Sequence, residues 1–247
     1  MARWFDRWLK DGRNGVDDEP SITVFMRRPT PPAADLAVHR GEWWHERGWP
    51  VERLREVAQP LDRMIATPST ETLAVRPDVG WTAWISCAGS PPWDQPLDQR
   101  PDEAHSLVHD GEPLDADLAI LGHPRARLRI ASSAPVASVA VKVCDVHPDG
   151  TSQLVTRGLL NLTHRRSREH PEPMPIGSFE DVEVELEVTS WIFEPGHRVR
   201  LDVAGTDWPN AWPPPMPVTL TLDRSASSLM LPDRKSTRLN SSHVALS

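Results

Sequence analysis

Alternation of apolar and charged residues is the strongest signal in this chain. Val182, Val184, Leu186 and Val188 alternate with Glu183, Glu185 and Glu187, and Val199, Leu201 and Val203 alternate with Arg198, Arg200 and Asp202. A period of two puts the apolar set on one face of a strand and the charges on the other. Between the runs, Pro195-Gly196 offers a preset φ followed by a residue tolerant of positive φ, as a type II turn requires. If the two runs pair, the acidic outer face of one lies beside the arginines of the other, worth about 0.2–1 kcal/mol per pair.

The same period recurs upstream and downstream. Ala126, Leu128 and Ile130 alternate with Arg127 and Arg129; Val139, Val141 and Val143 with Ala140 and Lys142; Val218, Leu220 and Leu222 with threonines. His147-Pro-Asp-Gly150 is a turn, with Pro fixing φ and Gly free to go left-handed, and a strand is expected over 153–162. Residues 21–26, 72–75 and 81–86 are further strand candidates, 91–103 is irregular, and 164–177 is a polar loop. Short strands punctuated by turns predict an antiparallel β-sandwich. Residues 29–60, rich in Pro, Trp and Arg without a steady period, read as a long excursion carrying short strands.

One helix is expected, over residues 2–10, where Trp4, Phe5, Trp8 and Leu9 share a side and Gly12 supplies a stop. So short a helix is marginal alone and needs something to cover its aromatic face. The expected cover is protein upstream of Met1.

Composition narrows the function. The chain has 247 residues, enough for one good core, and a formal charge of −8 with both signs interspersed, which argues against nucleic acid or an anionic membrane as partner. No apolar run approaches the roughly 20 residues of a membrane-spanning helix. Cys87 and Cys144 read as two buried thiols, from which no compartment follows; the bacterial cytoplasm is the working expectation. No G-x-S-x-G nucleophile elbow occurs; Gly150-Thr-Ser152 continues as Gln153-Leu154 and belongs to a hairpin turn. His105 and His109 have i, i+4 spacing without an adjacent Glu or a third ligand, and His164 and His170 flank Arg165, Arg166 and Arg168. No catalytic residue, metal or cofactor is therefore expected. Asn161-Leu-Thr163 fits a glycosylation acceptor but reads as a strand end.

Eleven tryptophans and no tyrosine make the indoles the aromatic chemistry available. Trp43, Trp44 and Trp49 fall in the excursion, Trp81, Trp84 and Trp93 follow, and Trp191, Trp208 and Trp212 lie near the end. They read as core and lid residues, with a stacking platform for sugars as the functional alternative. The stiff segment TDWPNAWPPPMP (206–217) is the best surface candidate. The binding or interface candidates are thus Trp4, Phe5, Trp8, Trp208, Asn210 and Trp212.

Four segments resemble one family, the cocaine-esterase/X-Pro dipeptidyl-peptidase (CocE/NonD) hydrolases: RWFDRWLKDGRNGVDDEP (3–20), DQRPDEAHSLVHDGEPLDADLAILGHPRARLRIASSAP (98–135), KVCDVHPDGTS (142–152) and SWIFEPGHRVRLDVAGTDWPN (190–210). The resemblance implies a three-part serine hydrolase of esters and X-Pro peptides or amides: an α/β-hydrolase domain with a Ser-Asp-His triad, a helical cap and a C-terminal jelly-roll. This chain resembles the jelly-roll, so the expected fold is mainly β, a jelly-roll sandwich of the galactose-binding-domain-like type. Its short N-terminal helix is then left over from the α/β-hydrolase domain, over 1–12. In such enzymes the triad lies N-terminal to the WFDRWLK helix, so no catalytic residue carries over. The expected partner is the missing N-terminal α/β-hydrolase domain, whose acyl pocket the jelly-roll, over 19–232, would help enclose. The alternative is a free-standing carbohydrate-binding β-sandwich module. Residues 233–247, beginning DRKSTRLNSSH, resemble translated sequencing adapter and are expected to be a non-native tail.

Overall fold

Alternation becomes structure wherever the sequence shows it, in a computed structural model that describes residues 2–61, 69–83 and 95–234. Thirteen strands form among the described residues: β1 (Ile22–Arg27), β2 (Gly41–Glu46), β3 (Leu54–Pro60), β4 (Thr70–Ala74), β5 (Leu107–Asp110), β6 (Leu118–Gly122) and β7 (Arg125–Ser132) in the first half, then β8 (Ser138–Val146), β9 (Ser152–Asn161), β10 (Glu180–Glu185), β11 (Thr189–Phe193), β12 (Arg198–Ala204) and β13 (Thr219–Arg234). Helix α1 spans Ala2–Lys10 and a single turn, α2, spans Arg100–Glu103.

The strands make two sheets. One has the order β10-β7-β13-β6-β11-β1-β2, with β3 and β4 also paired to β13; the other has the order β5-β12-β8-β9. Pairing is antiparallel except between β1 and β11. This is the expected jelly-roll sandwich, mainly β, with one short helix at its N-terminal end.

The core fills the space between the sheets. Leu128 and Ile130 of β7, Val182 and Val184 of β10, and Leu220 and Leu222 of β13 meet Val141 and Val143 of β8 and Leu201 and Val203 of β12. A second cluster lies outside the larger sheet, where Ala119 and Leu121 of β6 and Ile192 of β11 pack with Met26 and Val51. Ile120, Trp191 and Phe193 face the main core from those same two strands. Consecutive residues thus serve opposite cores, because successive side chains on a strand point to opposite faces. The excursion closes this second core, as its Trp44 and Leu54 pack against it beside Val24 of β1.

The turn at Pro195-Gly196 forms as expected: the His197 amide donates to the Glu194 carbonyl (3.1 Å) and Gly196 takes φ +81°. The runs it joins do not pair. β10 and β12 lie in different sheets, and β10 instead pairs with β7, matching Glu183 to Arg127 and Asp181 to Arg129. Arg127 Nε then donates to Glu183 at 2.9 Å. The acidic run does meet arginines, but those of the 125–130 strand, because β11 and the turn carry the chain across to the second sheet. These pairs are exposed, so each adds about 0–1 kcal/mol.

Two further expectations change. The strand expected over 81–86 begins instead as a 3-10 turn at Trp81–Ala83, and 84–86 lie outside the described residues. The chain turns there because Val79 accepts from the Trp208 amide (2.8 Å) and Gly80, at φ +120°, lies against the Asp207-Trp208 backbone. A Cβ at Gly80 would come within 2.5 Å of the Trp208 nitrogen. At the other end, β13 runs two residues into the segment expected to be a tail: Asp233 pairs with Arg55 and Arg234 with Leu54. Residues 235–247 lie outside the described residues.

Candidate functional site

Two surfaces hold the residues singled out from sequence. On α1, Trp4, Phe5, Trp8 and Leu9 are 53%, 46%, 54% and 74% exposed. The polar side of the helix is tied down: Arg3 pairs with Glu19 (2.8 Å), Arg7 with Asp17 (2.5 Å), and the Gly12 amide donates to the Asp6 carbonyl (2.9 Å). The helix is therefore held in place with its aromatic side turned to solvent.

The second surface is the 206–217 segment. Thr206 Oγ1 donates to the Arg76 carbonyl (2.6 Å), Asn210 Nδ2 to Asp207 Oδ1 (3.2 Å) and the Ala211 amide to the Asp207 carbonyl (2.9 Å). Asn210 thus braces its own loop, while Trp208 is half-buried and Trp212 is 86% exposed. Trp81, Met216 and the prolines beside it are exposed as well. The Trp208 and Trp212 rings are 5.6 Å apart and inclined at 57°, Trp4 and Trp8 at 50°, and Phe25 and Trp43 at 59°. A sugar-stacking platform needs coplanar exposed rings, and none of these pairs supplies one.

Of the sequence-derived histidine pairs, neither assembles. His105 lies beside Arg76 (3.2 Å) in the turn after α2, while His109 sits on β5 near Glu71 (3.5 Å). The i, i+4 spacing brings side chains together only on a helix, and α2 ends at Glu103. His164 Nδ1 faces the Ser167 carbonyl (3.2 Å). Among the described residues no serine hydroxyl is hydrogen-bonded to a histidine ring; Ser167 Oγ accepts only from backbone amides, including that of His170 (3.0 Å). Cys144 is free and buried, and burial pushes its thiol well above the usual range, the mark of an inert side chain. Cys87, Trp84 and Trp93 lie outside the described residues.

A cluster not foreseen from sequence brings together Asp145, His147 and His197, the one grouping among the described residues whose ligand atoms all lie within 4.8 Å. Asp145 is fully buried at the end of β8; its Oδ2 accepts from Trp191 Nε1 (2.8 Å) and its Oδ1 faces His197 Nδ1 at 2.6 Å. Both carboxylate oxygens are therefore engaged, and a cation would have to displace one of these partners. His147 stands over His197 with ring centroids 4.7 Å apart and reaches Gln153 Oε1 through Nε2 (3.3 Å). Burial raises the Asp145 pKa above the usual carboxylate value, against the bonds from Trp191 and His197 that lower it. The arrangement fastens β8, β11 and the 194–197 turn together. Its residues are far apart in sequence, and only the lone carboxylate at the end of the valine run, Asp145, hinted at it.

A second buried polar network lies on the outer face of the smaller sheet. Lys142 Nζ sits 2.9 Å from Asp202, 3.7 Å from Asp102 and 3.2 Å from Gln99 Oε1. Asp102 accepts from the Thr82 amide and hydroxyl (3.0 and 2.6 Å), and Glu103 binds Arg200 (2.7 Å) and Ser152 (2.5 Å). The segment 95–106 is stapled by these contacts over strands whose charged positions looked solvated. Asp102 and Glu103 find partners within the network, whereas the Asp202 carboxylate, buried against Lys142 Nζ, has no hydrogen-bond donor among the described residues.

Comparison with known proteins fits a scaffold of this kind. Residues 14–244 match the family model described as the X-Pro dipeptidyl-peptidase C-terminal non-catalytic domain. A serine esterase of Mycobacterium tuberculosis is 31% identical over 234 residues, covering 84% of this chain and 36% of that protein. A Xaa-Pro dipeptidyl-peptidase of Rhodopirellula baltica is 26% identical over 250 residues, covering 94% of this chain and 36% of that protein. The cocaine esterase of Rhodococcus sp. is 31% identical over 116 residues, 46% of this chain and 20% of that protein. This chain thus spans about a third or less of the length of these relatives. Among solved structures, an aminopeptidase from a marine sediment Thaumarchaeota archaeon superposes with a TM-score of 0.71 at 20% identity, covering 92% of this chain and 42% of that one. A CocE/NonD family hydrolase of Staphylococcus aureus gives 0.68 at 14% identity, over 94% and 45%. At such identities these structures speak for the fold alone.

Proposed function

The chain belongs to the X-Pro dipeptidyl-peptidase C-terminal non-catalytic domain family, and from that premise we propose that it serves a CocE/NonD-type serine hydrolase of esters or X-Pro peptides and amides by packing against its α/β-hydrolase domain. The observation that carries this reading is α1, a helix fixed by ion pairs with its aromatic side uncovered. Contiguous exposed apolar surface on a soluble protein marks a contact site. Trp81, Trp212 and Met216 offer a second apolar surface for the same partner, and there the jelly-roll would help enclose the acyl pocket. Reaction chemistry would come from the partner domain.

Two measurements test this. The purified chain should hydrolyse p-nitrophenyl esters no faster than the same chain treated with a serine-directed inactivator; turnover abolished by the inactivator would overturn the reading. Trp4→Ser with Trp8→Ser should remove most of the binding of a hydrophobic dye while changing stability by roughly 0.5 kcal/mol or less, as expected of surface positions. Unchanged dye binding would mean that α1 is not the sticky surface.

A further inference from the structure

A cavity of about 160 Å³ opens between the excursion, β9 and the 187–191 segment, and Arg27, Arg40, Arg157 and His39 are among its lining residues. Three of the four arginines there are matched by acids. Arg28 pairs with Glu42, Asp117 and Glu194, Arg40 with Glu194, and Arg157 with Asp207 (3.6 Å). Arg27 is not. Its Nη2 donates to Thr189 Oγ1 (3.0 Å) and the Val155 carbonyl (3.4 Å), its guanidinium lies 5.1 Å from the Trp191 ring centroid, and no described carboxylate lies within ion-pair distance. Nη1 and Nε bond no described residue. Burial accordingly pulls the Arg27 pKa below the usual guanidinium value.

A half-buried guanidinium with two free donors and no counter-charge is costly unless an anion completes it. The planar fork matches a carboxylate, which can accept two parallel N–H bonds. Gln153 adds an amide nitrogen that bonds no described residue, since its Oε1 is taken by the Thr30 amide (2.9 Å) and His147. The remaining walls combine apolar Leu36, Pro96, Val188 and the Trp191 ring with polar Gln95, Thr156 and Glu187. The volume holds a one-ring or branched-chain acid and falls short of the roughly 300–1,000 Å³ of drug-sized pockets.

We propose that this cavity is a binding site for a small carboxylic acid with an apolar body, its carboxylate held by Arg27 and its body against Leu36, Pro96 and Trp191. The proposal does not rest on the hydrolase reading above.

Titration calorimetry on the full chain, with benzoate as probe and benzamide and inorganic phosphate at equal ionic strength, tests it. Benzoate should bind saturably, with benzamide and phosphate each weaker by about tenfold or more, because one lacks the charge and the other the apolar body. Arg27→Gln should weaken benzoate about ten- to a hundredfold, the scale of a lost charged hydrogen bond. Leu36→Trp, which puts a larger ring into the lining and leaves every charge in place, should abolish binding and covers the case in which Arg27→Gln fails to fold. Non-saturable benzoate binding, phosphate binding as tight as benzoate, or unchanged benzoate binding by Leu36→Trp would each overturn the assignment.

Discussion

Lys142→Met is expected to destabilise the fold by about 3–5 kcal/mol, the usual cost of stranding one partner of a buried ion pair. Methionine keeps the length of the side chain and removes the charge, leaving the fully buried Asp202 without the ammonium 2.9 Å away. Asp102 and Gln99 lose the same contact, so the staple over 95–106 loosens too. Replacing both partners, Lys142→Met with Asp202→Leu, should recover most of the loss, since a well-packed apolar pair often matches a buried ion pair. Burial works to lower the Lys142 pKa, but Asp202 and the other nearby anionic groups outweigh it, and the ammonium is held above its usual value. A group raised on folding contributes fully below its unfolded value of 10.5 and loses that contribution as pH rises through the folded value. The gap between wild type and variant should therefore be flat from about pH 7 to 9 and close only in strong alkali. Urea unfolding measures it; a single-variant loss under about 1 kcal/mol would show that the pair is not what holds this face.

Asp145→Ala is the second large effect. The Trp191 indole N–H, buried with its ring 2% exposed, would be left without an acceptor at a cost of about 1–3 kcal/mol. His197 suffers less, because a neutral imidazole can move its proton to the other nitrogen. The loss should thus run mainly through the indole. In a Trp191→Phe background, Asp145→Ala should cost less by about 1 kcal/mol or more, a coupling that a double-mutant cycle reads directly. Equal costs in the two backgrounds would assign the effect to packing instead.

These two sites show where reading from sequence stopped. The strands around Leu128, Val141, Val184, Leu201 and Leu220 were legible because period two is a local signal, as was the Pro195-Gly196 turn. Partner choice was not: Glu183 meets Arg127, far away in sequence, rather than the nearer arginines of β12. Alternation also says which face a residue occupies, not whether that face is wet. Lys142 and Asp202, directly paired across β8 and β12, took the polar phase of their strands and so looked solvated. They are buried because 95–106, a segment without any periodic signal, lies over them. The exposed aromatic side of α1 and of Trp212 was foreseen; the bracing role of Asn210, and the Asp145 cluster drawn from separate elements, needed the fold.

The long final strand has a practical consequence for anyone trimming or tagging this protein. β13 runs from Thr219 to Arg234 through the interior of the larger sheet, bonded to β4 and then β3 as well as to β7, with Asp233 reaching β6. Its last residue stacks its guanidinium 3.9 Å from the Trp44 ring centroid and pairs with Glu46. Cutting anywhere before Arg234 would pull a seam from the middle of the cloth rather than fray its hem, and any fused label belongs beyond that residue.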